Sequence, residues 1–443
     1  MQAGTVDAET KRKKKSKTAQ TELVQKKSKQ KKARPTSATV LNTASKSVSI
    51  NLDAQYAHIV KLMQAGQYRD ALAQNEALLR LAPNFKLAQL MQADLLSLLS
   101  YRKPLMQNFI GANVVSNARL TELRAEGVLR QYGALYKPET ALWPSSALQL
   151  SAKTKNIIVV DAAVSRIYVF AVNRSVSAAP SLTRIADYYS TLGKQGFAKE
   201  KEGDQKTPLG VYFTAAKFTQ SLPDLYGAGA IPLDYPNPLD KALGRTGHGI
   251  WLHGTPRDTM ARAPFASDGC IVLSNQDVAQ LFDLAQKEGV PVVVSANLQW
   301  VKPEVILPQR TAVLSAIEQW RKDWEQLSFK QYQAHYDANY RSDTHDLAAW
   351  MLHKSSFFKD RTWSKITVSD VSLYEVPQAL GKNDNVVLAL FTQHYRAEGV
   401  DNTVQKRMYL KQTAAPAKRF TLLANETNSA NISPWKIILE HTQ

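Results

Sequence analysis

From Leu52 onward, apolar residues recur every three to four positions: Ile59, Leu62 and Met63, then Tyr68, Ala71, Leu72, Leu78 and Leu79, then Leu87, Leu90, Met91 and Leu98. That period predicts three helices, the first broken at Gly66, and residues 116–136 read as a fourth. Lys137-Pro138 and Trp143-Pro144-Ser145-Ser146 end the helical pattern. Beyond them, Ile157-Ile158-Val159-Val160-Asp161 and Arg166-Ile167-Tyr168-Val169-Phe170, four residues apart, predict a β-hairpin, with further strands at 184–190, 210–215, 250–253 and 290–295. Ser274 followed three residues later by Asp277 resembles a capping box, and Val278, Leu281, Phe282 and Ala285 continue it at helical spacing. Residues 220–245 have no period and are expected to form a loop over a cleft, where Tyr226, Tyr235 and His248 are candidates for its lining. After Val301-Lys302-Pro303 the pattern changes again. Ile317, Trp320, Trp324 and Leu327, then Tyr332, Tyr336 and Tyr340, predict helices with aromatic faces, and 347–358 another. Strands follow at 366–375, 386–395, 406–412, 419–423 and 435–439.

These changes of period divide the chain. Residues 1–50 form a tail, 51–136 a helical region, 137–154 a linker, 155–297 a mostly β domain, 298–310 a second linker, and 311–443 an α+β domain. The fold class expected is therefore multidomain. In the helical region, Gly66, Tyr68, Ala71 and Pro83 have the relative spacing of one tetratricopeptide-like unit. About three such units make an independent array, so this one is expected to pack on another domain or on a second copy of itself. A plain helical hairpin gives the same spacing.

Charge changes the picture only at the start. The formal charge is +18, and residues 1–50 hold thirteen Lys and Arg against three acids, so +10 lies there and +8 in the rest. A run such as Lys11-Arg12-Lys13-Lys14-Lys15 has too little apolar surface to fold and reads as a disordered tail. It suits a nucleic acid, an anionic lipid surface or an anionic wall polymer, and equally no fixed partner. Nucleic acid rests on this tail alone and is not favoured; membrane contact is left open. No stretch reads as a transmembrane helix, and the first thirty residues lack the apolar core of an export signal.

Cys270 is the only cysteine, which excludes an intramolecular disulfide and argues against a structural zinc site. It lies on a small-residue turn, Ser267-Asp268-Gly269-Cys270, between a strand signal carrying His253 and the helix signal at Ser274. A free thiol is only a few per cent ionised at neutral pH, so a nearby imidazole that takes or stabilises the charge is expected to raise the reactive fraction. Gly269 removes a side chain beside the sulfur, and N–H groups of a tight turn can face an oxyanion. A buried structural cysteine is the competing reading. His248 and His253 are an odd number of residues apart, so on one strand only one of them faces the sulfur.

His253-Gly254-Thr255 with Ser267-Asp268-Gly269-Cys270-Ile271 resembles the active-site signature of the L,D-transpeptidase (YkuD-like) family. Glu202-Gly203-Asp204-Gln205-Lys206-Thr207-Pro208-Leu209-Gly210-Val211-Tyr212 resembles that family's second segment. The resemblance implies a peptidoglycan-modifying enzyme acting on tetrapeptide stems at the diaminopimelate-D-alanine bond, with no metal and no organic cofactor. Carried over, Cys270 is the nucleophile, His253 the base and the Gly254 carbonyl its orienting group, with Trp251, Ser267, Asp268 and Gly269 beside the substrate. Asp268 stands where a His or Ser is frequent, and Val272 where an Arg is frequent, which leaves the acceptor open between water and an amine. Residues 311–443, helices before a curved sheet, resemble the nuclear-transport-factor-like (SnoaL-like) cone, whose pocket is expected to bind a ligand or to be filled by its own aromatics. The combination resembles bacterial cell-shape L,D-carboxypeptidases, and so implies the periplasm or cell envelope. As no export signal is legible, the expectation is a start downstream of that signal or another route of export. A non-catalytic wall-binding scaffold is the alternative function.

Overall fold

The computed structural model describes residues 51–100, 118–175, 178–216, 218, 222–285, 289–342, 344–380, 385–413 and 435–442. The basic stretch 1–50 and the expected strand at 419–423 lie outside them. The helical region has α1 (Leu52–Gln64), α2 (Tyr68–Leu81), α3 (Lys86–Leu99) and α4 (Ala118–Leu135). Asn51 caps α1 through the Ala54 N–H, and Gly66 takes the left-handed φ of 75° that turns the chain into α2. The apolar faces meet in one core of Tyr56, Ile59, Leu78, Phe85, Met91 and Leu95.

Next come β1 (Trp143–Pro144), β2 (Ala147–Gln149), β3 (Asn156–Asp161), β4 (Arg166–Ser175), β5 (Ala178–Tyr189), β6 (Leu192–Gly193), β7 (Gly210–Phe213) and β8 (Ala230–Pro232). They are followed by α5 (Pro238–Ala242), β9 (Trp251–His253), β10 (Phe265–Ser267), β11 (Ile271–Val272), α6 (Asn275–Leu284) and β12 (Pro291–Ser295). A five-stranded sheet runs β5-β4-β3-β12-β7, and a three-stranded sheet runs β11-β9-β8. Ile158, Val160, Val292 and Val294 face the small sheet and α6, whereas Ile157, Val159 and Val293 face the opposite way into a second core. A strand buried on both faces reads as an unbroken apolar run, which is the pattern of 157–160.

The chain ends with β13 (Trp300–Val301), α7 (Pro303–Glu325), α8 (Phe329–Ala334), β14 (Tyr336–Ser342), α9 (Leu347–Lys359), β15 (Ser364–Glu375), β16 (Val386–Ala397), β17 (Val400–Gln412) and β18 (Trp435–Thr442). One sheet runs β14-β18-β17-β16-β15-β2. One face packs on Trp320, Trp324, Tyr332, Met351 and Phe358 from the helices, and Tyr374, Val386, Leu388 and Tyr409 on the other face pack on the five-stranded sheet.

Several expectations are corrected. Tyr336 and Tyr340 lie on β14 rather than a helix, because a spacing of four keeps residues on one side of a strand as well as of a helix. The stretches expected as linkers carry structure: 137–154 contains β1 and β2, and 298–310 contains β13 and the first turns of α7. The segment 220–245 is more than a loop, since β8 and α5 lie in it and β8 pairs with β9. The aromatics of the cone are packed core, with a buried Lys406–Glu440 ion pair and Glu440 accepting from the Tyr336 hydroxyl.

Candidate functional site

Parallel pairing of β11 with β9 sets Val272 beside His253 and Ile271 beside Leu252, which brings the Cys270 turn alongside Trp251. Leu252 points into the core, so Trp251 and His253 share the other face of β9. His253 Nδ1 lies 2.7 Å from the Gly254 carbonyl, so this nitrogen donates and Nε2 is left as the acceptor. Tyr226 meets the imidazole edge-on at 5.1 Å between centroids and tilts over Trp251 at 4.9 Å, with Phe218 beyond. The site thus has one aromatic wall.

Asn275 holds the end of β9. Its side chain donates to the Thr255 carbonyl and accepts from the Thr255 and Ala228 N–H groups. It approaches so closely that a Cβ at Gly254 would fall 2.2 Å from Asn275 Oδ1, which is why residue 254 is glycine. The turn of Cys270 is fixed in the same way. Thr207, fully buried, accepts from the Gly193 N–H and donates to the Gly269 carbonyl, and Gln205 reaches Asp268. The second motif therefore forms the cradle of the turn. Asp204 anchors that cradle through Lys199 and the N–H groups of Glu200, Lys201 and Lys206; against a desolvation that raises its pKa, these bonds hold it at about 2.

Cys270 Sγ lies 3.4 Å from the Gly249 carbonyl and makes no hydrogen bond to His253. Burial pushes the thiol above its ordinary value, opposed by the Trp251 N–H and by the charges of Arg262 and Lys199. Burial also drives His253 down to about 4, against the bond to the Gly254 carbonyl and with Arg262 adding to the fall. The resting pair is therefore a neutral thiol and a neutral imidazole. This corrects the expectation that the imidazole raises the thiolate fraction, since desolvation disfavours both charged forms.

The other expected site residues divide. Gly269 has φ of 123°, and a Cβ there would meet the Lys206 carbonyl at 2.7 Å, so its role is backbone fit. Ser267 is buried and spent on the turn: it donates to the Cys270 carbonyl and accepts from the Gly269 N–H, rather than facing a substrate. Asp268 is exposed and paired with Lys194. His248 is off β9, in an exposed loop 3.6 Å from Glu202, so strand parity does not govern it. Tyr235 is core, its hydroxyl bound to the Thr246 carbonyl. Val272 is buried in β11, its backbone bridged to Thr191. Ser274 caps α6, but Asp277 takes the Ser274 hydroxyl instead of returning to its N–H; the reciprocal box is at Asn237 and Asp240. Sequence reasoning missed Asn275, Thr207 and Arg262, whose partners are remote in the chain. Among the described residues no group of three His, Cys, Asp or Glu side chains could hold a metal ion.

This architecture has relatives. The model of the L,D-transpeptidase catalytic domain (YkuD) matches residues 155–294, and that of the Cds6 C-terminal NTF2-like domain matches residues 312–423. The chain thus joins a YkuD L,D-transpeptidase domain to a C-terminal NTF2-like domain, in a multidomain fold with helices ahead of both. Among solved structures it is similar to Bd1075 of Bdellovibrio bacteriovorus, 25% identical, over 68% of this chain and 99% of that one, with a TM-score of 0.54. It is also similar to the helical cell shape determining protein Pgp2 from Campylobacter jejuni, 23% identical, over 69% and 96%, with a TM-score of 0.52. A comparison with curated protein sequences finds no match.

Proposed function

We propose that this protein is a thiol enzyme that trims tetrapeptide stems of peptidoglycan at the diaminopimelate-D-alanine bond, in the periplasm or cell envelope. The observation that supports it best is His253, buried with Nδ1–H committed to the Gly254 carbonyl and Nε2 free, on the strand paired with the one into which the Cys270 turn leads. Cys270 Sγ turns from the Gly249 carbonyl toward the scissile carbonyl carbon and gives its proton to His253 Nε2 as the C–S bond forms. Because both groups start neutral, proton transfer accompanies attack instead of preceding it. The oxyanion faces the turn, where the Cys270 N–H makes no hydrogen bond to a described residue. As the C–N bond breaks, His253 returns the proton to the D-alanine amine. Water then gives a proton to His253 and its oxygen to the thioester carbon, and the thiolate leaves and is reprotonated. Tripeptide and D-alanine are the products.

Water is favoured over an amine because Val272, where a cation is frequent, is core and offers no anchor at that position. The helical region is read as a tetratricopeptide-like buttress for the catalytic domain, with self-association as a further use. Mass spectrometry of purified tetrapeptide muropeptides tests the reaction: tripeptide and free D-alanine with the wild type, and neither with Cys270→Ala. Dominant 3-3 cross-linked dimers would overturn trimming and keep the nucleophile; unchanged turnover by Cys270→Ala would overturn both.

A further inference from the structure

The segment between β9 and β10 is pinned on both sides. Met260 packs against the helical core, and the Thr255 hydroxyl donates to the Thr259 carbonyl. At residue 262 the backbone carbonyl accepts from two buried hydroxyls, Tyr189 at 3.0 Å and Thr191 at 3.1 Å. The side chain of the same residue is treated differently. The Arg262 guanidinium, half-buried, forms no hydrogen bond and no ion pair with any described residue. An arginine has five donors in a rigid fork, so a fixed backbone beneath an unpaired fork is an arrangement for meeting something from outside.

Arg262 has two neighbourhoods. On one side Thr191, whose hydroxyl holds its carbonyl, is bridged through its backbone to Val272, two residues past Cys270, and the charge of Arg262 bears on both Cys270 and His253. On the other it lines a cleft of about 270 Å³ between the helices and this segment, opposite Phe85, Lys86, Arg119 and Leu123, with Ala261 and Ala263 leaving the floor open. The cleft also has Glu122 and Glu126, but Glu126 is taken by Arg130. Cations are in excess. The volume is near the lower end for ligand sites, roughly 300 Å³ upward, which suits a short peptide segment better than a glycan chain.

We propose that this cleft is the subsite for the stem peptide and that Arg262 is its carboxylate anchor, pairing with a free carboxylate of the stem beside the scissile bond. The inference rests on the peptidoglycan reading above and names the residue that recognises the acidic substrate. Arg262 then acts in binding, and neither takes a proton nor forms a bond in the reaction.

Binding is measured by calorimetry on the full chain carrying Cys270→Ala, so that turnover plays no part. The probes are an acidic tetrapeptide stem and the same peptide with its carboxylates converted to carboxamides. The acidic peptide should bind about tenfold more tightly, the worth of one good charged pair. Adding Arg262→Gln should remove that preference without changing the melting temperature, and Arg262→Lys should restore part of it. Ala263→Trp, which fills the cleft and leaves every charge in place, should weaken both peptides. The inference is overturned if Arg262→Gln keeps the preference, if the parent shows none, if neither peptide binds, or if a folded Ala263→Trp protein binds as before. Absence of any product from muropeptides with Cys270 intact, alongside the expected binding differences, would instead defeat the trimming reaction and leave the subsite standing.

Discussion

At His253 two effects act on one proton. Burial lowers the pKa to about 4, from an ordinary value near 6.5, so the basic form persists through the weakly acidic range. The acid limb of kcat/KM is therefore expected near pH 4; a limb near 6.5 would show an imidazole far more solvated than this one. For stability the sign is the same. The unfolded chain binds the extra proton between 6.5 and 4, so the contribution of the neutral ring is complete above 6.5 and is lost as pH falls toward 4. Alkylation of Cys270 by iodoacetamide should rise only at pH values above those of a free thiol, because burial raises this group. His253→Ala should cut kcat/KM by about 10²–10⁴, the usual worth of a general base, and leave that alkylation profile near the wild type. The single cysteine and its histidine were legible because the chemistry restricts the residue types. Ser267 was legible as part of the motif but not in its task, since a hydroxyl closing a turn and a hydroxyl facing a substrate are the same letter. Arg262 was not legible at all: its carbonyl is held by Tyr189 and Thr191, some seventy residues earlier.

Among elements, α1 and α4 are joined to the hairpin of β4 and β5 by buried charge. Asp53 accepts from both Arg130 and Arg166 at 2.5 Å, Arg130 also pairs with Glu126, and Arg166 with Asp187. The Arg130 guanidinium lies 4.1 Å from the centre of the Tyr189 ring, the same side chain that holds Arg262. Desolvation of Asp53 is outweighed by its two arginines, and its pKa is lowered. Its stabilising contribution is thus present above the unfolded carboxylate value and lost as pH falls below it. Asp53→Ala leaves two buried cations short of a partner and should cost about 3–5 kcal/mol in urea denaturation at pH 7. Hydrogen exchange should quicken first in α1 and α4. A loss under 1 kcal/mol would mean the helices are held by apolar contact alone. Most elements were legible from period, the solid runs of β3 and β12 included. The tyrosines of β14 were not, because their spacing satisfies two periodicities and only the sheet chooses between them.

Across the whole molecule, the two β regions share a core and a strand. β2, ahead of the catalytic sheet in sequence, forms the edge of the C-terminal sheet by pairing with β15, and Tyr374 of that strand stands against Phe213. A fragment ending at residue 297 would expose the apolar face of Ile157, Val159, Val211 and Val293 and leave β2 unpaired. It should be insoluble or molten by near-ultraviolet circular dichroism, while residues 51–443 fold; a soluble, cooperatively melting fragment would show that the catalytic sheet needs no partner. No local pattern announced this, because a three-residue strand just after the break at Pro144 is too short to have a period. The shared strand also sets an order of events during synthesis. β2 leaves the ribosome roughly 200 residues before β15, an interval on the order of ten to forty seconds at ~5–20 residues per second. From the completion of β12 at residue 295 until β15 begins at residue 364, roughly 70 residues or on the order of four to fourteen seconds of synthesis, the finished catalytic sheet has one bare face that only the C-terminal half can cover.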